Sequence, residues 1–258
     1  MATAVLTRDP VDAQAYASAL APLGLDVVAM PVTRTVPPAD RDALARALDE
    51  GEYAAIVVAS PRAVHELARA VGSLAGIRTT LPELPDVWAV GPATKRALDI
   101  AKLPAQLPAG VRDGAELARH MVASRSLAGR RVLVPRAEEG RTDIREILRA
   151  AGAEVVDVVA YRTVALAPDD PLLGEGADLL VRGAAAICAV FAPSQVSALA
   201  AAIDARQHAL PALITRFCAI GETTAGALRA AGVAEVAVAD APTPEGMARA
   251  VGSVYPTR

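Results

Sequence analysis

The second half of this 258-residue sequence repeats the pattern of the first, and this duplication restricts the folds that the chain can adopt. Residues 60–64 correspond to residues 192–196, and residues 91–94 correspond to residues 221–224. Apolar strand-like runs alternate with helical patterns in both copies, which is typical of a parallel sheet with helices on its faces. The sequence therefore predicts an α/β protein made of two copies of one unit.

Two similar β-branched stretches mark where the chain is expected to pass between the copies. Residues 26–36 and 154–164 share a Val-Val pair and an Arg-Thr-Val end, and each is broken in the middle, by Pro31 and by the Ala160-Tyr161 step. Two such crossings predict a double hinge between two lobes. Tyr161, which replaces Thr33 of the first copy, would lie where the lobes face each other, so it is the first candidate functional residue.

Composition and charge narrow the class of protein. The chain is 53% hydrophobic and 3% aromatic, with a formal net charge of -3, which does not indicate a nucleic-acid-binding surface. No signal or transit peptide is visible at the N-terminus. Residues 184–203 lack charge but contain Pro193 and several polar residues, which favours a buried strand followed by a helix over a membrane span. We expect a cytoplasmic protein with buried, reduced Cys188 and Cys218.

The turns after the predicted strands carry small and hydroxyl-bearing residues at helix starts. In a parallel sheet these turns gather at one edge, where helix N-termini present unpaired N–H groups and a positive dipole end to anions. Helix capping is the alternative interpretation of each turn taken singly, but a ligand between the lobes would meet all of them. The candidates are Ser60, Pro61, Gly91, Thr94, Ala192, Ser194, Gly221, Thr223 and Thr224.

Four arginines stand beside these turns and could bind anionic groups with paired donors. Arg8 follows the first predicted strand, and Arg62 follows the turn at Ser60. Arg136 and Arg141 follow the strand predicted at 132–134. A solvated surface arginine is the alternative interpretation of each.

Several common kinds of catalytic site find no support in the sequence. His65, His120 and His208 stand apart from each other and from the cysteines, so no metal-ligand spacing is present. There is no Gly-x-Ser-x-Gly nucleophile motif and no Walker loop, and residues 174–176 lack the third glycine of a dinucleotide fingerprint. We therefore expect no cofactor and a chemistry that uses few side chains, or no chemistry at all.

In order and spacing, six motifs of the chain resemble those of the uroporphyrinogen-III synthase family. They are Thr-Arg after the first strand, Ala-Ser-Pro-Arg-Ala-Val, Val-Gly-Pro-Ala-Thr, Pro-Arg-x-x-x-Gly-Arg, Val-x-x-Tyr-Arg-Thr and Ile-Gly-x-Thr-Thr. The resemblance spans almost the full length and implies two flavodoxin-like lobes with parallel sheets, joined by a two-stranded hinge. One lobe would combine residues 1–31 with 168–258, the other would comprise 37–160, and 32–36 and 161–167 would be the hinge strands.

The resemblance implies a lyase of tetrapyrrole (heme, siroheme or cobalamin) biosynthesis. Such an enzyme closes the linear tetrapyrrole hydroxymethylbilane into uroporphyrinogen III, with loss of water and inversion of ring D. Its substrate is a polycarboxylate, it needs no cofactor, and its task is mainly to orient the substrate. The resemblance also allows a transient hand-over from hydroxymethylbilane synthase. We expect a monomer without nucleic-acid or membrane partners.

Individual roles follow from matching the motifs position by position. Tyr161 matches the family's tyrosine, a candidate to assist departure of the substrate hydroxyl, while structural packing at the hinge is the alternative. Ala192 departs from the family, which often has serine there, and only a backbone contact would survive. The alternative function is a non-catalytic two-lobe tetrapyrrole-binding or regulatory module of the same fold. A sugar or amino-acid clamshell binder would normally need an export signal and aromatic stacking residues, and we see neither.

Overall fold

The computed structural model describes residues 2–77, 85–111 and 113–255. The strands are β1 (Ala2–Leu6), β2 (Leu25–Ala29), β3 (Thr33–Val36), β4 (Ala55–Val58), β5 (Asp86–Ala89), β6 (Ala105–Gln106), β7 (Arg131–Ala137), β8 (Glu154–Ala165), β9 (Ala185–Val190), β10 (Arg216–Ala219) and β11 (Val236–Val238). The α-helices are α1 (Pro10–Leu20), α2 (Ala43–Glu50), α3 (Pro61–Ile77), α4 (Gly91–Ile100), α5 (Gly114–Ser124), α6 (Asp143–Ala150), α7 (Gly174–Val181), α8 (Pro193–Asp204), α9 (Glu222–Ala230) and α10 (Pro244–Val254).

The chain divides into two compact units, each with its own sheet. Unit 1 comprises Met1–Arg34 and Val164–Arg258, and unit 2 comprises Thr35–Thr163. Strands alternate with helices through most of both units, which confirms the predicted α/β class with two parallel-sheet lobes. Within the described part of the chain, no helix is both long and apolar enough to cross a membrane.

The sheet of unit 1 has the strand order β11-β10-β9-β1-β2, with parallel pairing throughout. Helices cover both of its faces, so successive strand residues are buried in different apolar clusters: Val5 on one side, Ala4 and Leu6 on the other. The run at 184–203 forms a strand and then a helix, as predicted. Cys188 and Cys218 are buried and unbonded, and burial raises the pKa of the Cys218 thiol to about 12.

The sheet of unit 2 has the order β3-β8-β7-β4-β5-β6, and the pairs that join β4 to β8 through β7 are parallel. One apolar cluster packs α2 and α3 against this sheet through residues such as Leu67 and Val58. A second cluster packs α5 and α6 through Leu117 and Leu148. The turns after β4, β5 and β7 lead directly into α3, α4 and α6, respectively.

Strand β8 corrects the expectation that residues 154–164 are broken at the Ala160-Tyr161 step. It is one continuous strand, Glu154–Ala165, which contains a β-bulge. Arg136 pairs with Val159 and Ala137 pairs with Tyr161, which leaves Ala160 as the extra residue. Ala160 and Tyr161 consequently pack into the same apolar cluster, although strict alternation would place adjacent residues on opposite faces. The bulge thus turns the Tyr161 side chain to the face that α3 covers.

Two helical glycines of unit 1 allow a paired test of the packing. A Cβ at Gly246 would collide with the backbone oxygen of Ala241, whereas a Cβ at Gly226 would meet nothing within 4 Å. We expect Gly246→Ala to destabilise the protein by about 2 kcal/mol, because backbone cannot move aside as a side chain can. Gly226→Ala should stabilise it by about 0.5–1 kcal/mol through helix propensity. Urea unfolding followed by circular dichroism measures the stability of both variants. Equal effects of the two changes would contradict the close packing of Gly246 against the Ala241 backbone.

Candidate functional site

The predicted site residues of unit 2 lie where strands end and helices begin. Ser60 follows β4, Gly91 begins α4 after β5, and Arg136 lies near the end of β7. Tyr161 lies in β8, next to β7 in the sheet. In a parallel sheet these positions share the carboxyl edge, where α/β proteins generally bind ligands.

A cavity of about 400 Å³ opens at this edge of unit 2. It brings together four of the predicted residues: Ser60, Arg136, Arg141 and Tyr161. The others predicted in this unit, Pro61, Arg62, Gly91 and Thr94, are not part of its lining. Asp113 and Arg145, which sequence reasoning did not select, are part of it. The cavity is large enough to hold part of a small-molecule ligand.

Tyr161 and Ser60 form a hydroxyl pair at the wall of this cavity. The Tyr161 side chain is buried at 7% exposure, and its hydroxyl lies 3.0 Å from Ser60 Oγ. Ser60 Oγ also accepts a hydrogen bond of 3.2 Å from the Ala63 N–H, which caps the start of α3. Because both partners are anchored, the tyrosine hydroxyl is held at a defined point of the cavity. Ser60 is therefore a helix cap and a partner of Tyr161 at the same time.

The backbone around Tyr161 is held by Arg136. Arg136 Nη1 donates hydrogen bonds of 2.8 and 2.7 Å to the carbonyls of Ala137 and Glu138, and the Glu138 N–H donates to the Tyr161 carbonyl at 2.9 Å. These bonds fasten the β7–α6 turn to the bulged part of β8. Arg136 thus has structural partners in addition to its place in the cavity lining.

Asp157 gathers three arginines beside the cavity. Its Oδ2 accepts hydrogen bonds of 2.8 Å from Arg136 Nε and from Arg145 Nη1, and its Oδ1 accepts one of 2.9 Å from Arg149 Nη2. Burial alone would raise the pKa of Asp157, but the hydrogen bonds and charges of Arg136 and Arg145 outweigh it and hold this pKa below its ordinary value. The carboxylate stays ionised and fixes the arginine side chains.

The remaining charged groups of the cavity lie outside this cluster. Arg141 is exposed and pairs with Asp143, and its hydrogen bond holds the pKa of Asp143 below the ordinary value. Asp113 caps α5 by accepting a hydrogen bond of 2.9 Å from the Glu116 N–H. Glu139 is exposed to solvent. Among the described residues, no three His, Cys, Asp or Glu side chains gather as a metal site.

The two Gly-x-x-Thr turns agree in their threonines and differ in their glycines. Thr94 and Thr224 are buried at 2% and 3% exposure. Gly91 has a φ of 82°, a conformation that only glycine adopts easily, whereas Gly221 is extended and would accept other residues. Thr223 is exposed. The backbone conformation therefore favours glycine at position 91 but not at position 221.

In unit 1, Arg8 lies between two aromatic rings at the end of β1. Its guanidinium carbon is 5.1 Å from the centre of the Tyr16 ring and 4.9 Å from that of Phe191. Its Nη2 donates to Asp12 at 3.1 Å and its Nη1 to the Tyr16 hydroxyl at 3.3 Å. The side chain is thus held in one orientation at the sheet edge, with part of its donor capacity in use.

The turn that begins α8 has Ala192 where the family often has serine, and another side chain makes the hydrogen bonds of this turn. Ala192 occupies the cap position without a side-chain hydrogen bond. Gln195 Oε1 instead accepts a hydrogen bond of 3.0 Å from the Phe191 N–H and lies 2.7 Å from the donating Thr7 hydroxyl. Ser194, which was predicted to bind substrate, is exposed. Gln195 therefore organises this turn, and sequence reasoning missed it.

The charged cluster of unit 2, which the sequence analysis did not select, could have been recognised from the sequence. Asp157 is a lone charge inside the apolar run Val-Val-Asp-Val-Val, and such a residue needs a buried partner. Arg145 and Arg149 are four residues apart on α6 and therefore share one face. A search for arginines four residues apart on a predicted helix, combined with a single carboxylate inside the following apolar strand, would have found the cluster.

The architecture defines a class: a two-unit α/β protein with parallel sheets and hydroxyl and arginine side chains at the strand ends. Within that class, the chain belongs to the family described as uroporphyrinogen-III synthase HemD, whose model matches residues 14–249. This is the family that the motifs predicted, and its members bind hydroxymethylbilane.

Solved structures of this family have the same fold. A mutant uroporphyrinogen III synthase from the extremely thermophilic bacterium Thermus thermophilus is 22% identical with a TM-score of 0.58, and the match covers 98% of each chain. Uroporphyrinogen-III synthetase from Helicobacter pylori is 15% identical with a TM-score of 0.60, over 98% of this chain and 99% of the other. No curated protein sequence matches significantly.

Proposed function

We propose that this protein converts hydroxymethylbilane into uroporphyrinogen III, with loss of water and inversion of ring D. Family membership over residues 14–249 supports the reaction class. The single observation that carries the proposal for this chain is the Tyr161–Ser60 hydroxyl pair, 3.0 Å apart at the wall of a 400 Å³ cavity. A hydroxyl held at a fixed point of the cavity wall is suited to assist the departure of a substrate hydroxyl.

The proposed reaction begins with departure of the hydroxymethyl oxygen as water. The oxygen needs a proton to leave, and we assign to the Tyr161 hydroxyl the hydrogen bond that assists its departure. Departure leaves an electrophilic carbon on ring A, and the substituted carbon of ring D attacks it to give a spiro intermediate. The bond from ring D to its original bridge then breaks, and the unsubstituted ring D carbon closes onto that bridge. This carbon loses a proton, which balances the proton that left with water.

Orientation is the main contribution that we assign to the protein. The electron-rich pyrroles react without help, and spontaneous closure gives the uninverted isomer I. An enzyme must therefore hold the chain so that the substituted carbon of ring D meets the electrophile first, which is catalysis by positioning. Backbone N–H groups at the start of α3, α5 and α6, together with arginines, suit the carboxylates of this substrate.

The substrate contacts predicted at Gly91, Thr94 and Arg141 in unit 2 remain part of this proposal. In unit 1 the proposed contacts are Arg8, Ala192, Gly221 and Thr224, while the exposed Ser194 and Thr223 would act through their hydroxyls. Arg62 and Pro61 at the start of α3 complete the set. We propose a monomeric, cytoplasmic enzyme that works without a cofactor and receives its substrate from hydroxymethylbilane synthase.

Multiple turnover distinguishes an enzyme from a binding module. Freshly prepared hydroxymethylbilane is mixed with the protein at a roughly hundredfold molar excess of substrate, after chelation and dialysis. We expect substrate loss at a rate proportional to protein concentration and beyond one equivalent. Loss at the spontaneous rate, with at most one equivalent protected, would show a tetrapyrrole-binding module and refute the proposal.

A further inference from the structure

Arg145 is a cavity residue whose hydrogen-bonding capacity is only partly used. Its side chain is 13% exposed and donates one hydrogen bond, from Nη1 to Asp157. Its Nε is buried and has no hydrogen-bond partner among the described residues. A guanidinium carries five N–H donors, and a buried charged group with unused donors is unfavourable unless another anion compensates it.

Asp157 cannot balance the arginines that surround it. One carboxylate faces Arg136, Arg145 and Arg149, so the cluster carries two surplus positive charges. Arg136 and Arg145 line the cavity and share the same carboxylate oxygen, whereas the half-exposed Arg149 does not line it. The guanidinium groups of Arg136 and Arg145 therefore present positive charge at the cavity wall, whereas that of Arg149 does not.

Among the described residues, the acidic groups of the cavity lining form no ion pair with Arg136 or Arg145. Asp143 pairs with Arg141, and Asp113 accepts the N–H of Glu116 at the start of α5. Glu139 is exposed to solvent, where its charge is screened. The lining also contains the first residues of α5 and α6, whose N-terminal dipole ends favour anions.

We propose that Arg145 and Arg136, oriented by Asp157, form a carboxylate-binding subsite of the unit 2 cavity. The inference rests on the proposed function, because the carboxylate is then one of those on the linear tetrapyrrole. Carboxylate fits better than a neutral group, because two adjacent guanidinium groups offer paired donors in the geometry that a carboxylate accepts. In this arrangement Asp157 is a positioning residue, and Arg145 is a specificity residue that the family motifs do not contain.

The test uses the full-length protein labelled with ¹⁵N at arginine Nε and a small polycarboxylate, tricarballylate. The Arg145 Nε–H signal, assigned by its loss in Arg145→Lys, should shift saturably with tricarballylate and not with sodium chloride of equal ionic strength. Arg149→Gln is the matched control, since it removes another partner of Asp157 from the same helix but not from the cavity. It should retain the titration, whereas Arg145→Gln should abolish saturable binding measured by calorimetry.

Kinetics provides an independent readout. With hydroxymethylbilane, Arg145→Gln should raise KM about tenfold, the effect of one lost charge-assisted hydrogen bond, with a smaller change in kcat. Arg149→Gln should leave KM unchanged. A tricarballylate titration that equals the chloride control, or equal KM values for Arg145→Gln and the unmodified protein, would overturn the subsite. Saturable tricarballylate binding by a protein without turnover would support the subsite and refute the proposed function.

Discussion

Tyr161→Phe is expected to fold normally and to lose about 10²-fold in kcat, because positioned proton transfer typically contributes at least that much. The phenyl ring keeps the packing of a side chain that is 7% exposed, and only the hydroxyl beside Ser60 Oγ is removed. The matched control is Ser60→Ala, which removes the partner hydroxyl but leaves the tyrosine. It should cost about tenfold at most, the value of one positioning hydrogen bond.

The isomer composition of the product, together with a stability measurement, distinguishes a variant with slower catalysis from one that has unfolded. Because unassisted closure gives isomer I, Tyr161→Phe should raise the I-to-III ratio, and thermal unfolding should show a folded protein. If rate and isomer ratio in Tyr161→Phe both match those of the unmodified protein, the tyrosine only packs, and orientation by backbone remains as the mechanism. A larger loss in Ser60→Ala than in Tyr161→Phe would reassign the catalytic hydroxyl to the serine.

Asp157→Asn should destabilise unit 2 by about 2 kcal/mol, because hydrogen bonds to a charged group contribute about 1.5–3 kcal/mol and this carboxylate is only partly buried. The change leaves Arg136 and Arg145 without their shared carboxylate and turns an amide toward them. Urea unfolding can be followed by the fluorescence of Trp88, the single tryptophan, which is buried in this unit. The control is Asp99→Asn, which breaks an exposed pair with Lys95 and should change stability by about 0.5 kcal/mol or less.

The effect of Asp157→Asn should depend on pH in a defined direction. The arginines hold the pKa of Asp157 below its ordinary value of 3.8, so the folded state favours the ionised form. This stabilisation is fully present above about pH 4 and is lost as the pH falls through the folded-state pKa. The stability difference between the unmodified protein and Asp157→Asn should therefore shrink below about pH 4. A difference that stays constant down to acid unfolding would show that Asp157 contributes through packing and not through charge.

The sequence contained enough information for the fold, because the relevant signals are local and repeated. The β-branched runs and the helix starts at Pro61 and Pro193 each depend on a few neighbouring residues, and the duplication supplies a second copy of the pattern. The strand-end positions of Ser60 and Gly91 follow from that same alternation. The sequence also indicated that Tyr161 belongs to a β-branched run, but it predicted neither the continuous strand nor the partner of the tyrosine hydroxyl.

The features of the site that could not be predicted from the sequence depend on contacts between residues that are distant in sequence. The bulge at Ala160 arises from the register between β7 and β8, which no local pattern of apolar residues specifies, and it decides which face Tyr161 occupies. Likewise, Asp157 and Arg145 meet only after α6 has packed against β8. Gln195 contacts Thr7 across most of the chain. Sequence patterns thus predicted which residues reach the sheet edge, and tertiary packing decided how they pair.

The fraction of isomer III among the products tests the central claim most directly. The protein is chelated, dialysed and incubated with fresh hydroxymethylbilane, and the isomers are separated after oxidation to the porphyrins. We predict that isomer III predominates and that its fraction rises with protein concentration, because inversion of ring D requires an oriented substrate. Isomer I alone at every protein concentration, with the protein folded and the substrate intact at the start, would contradict this function.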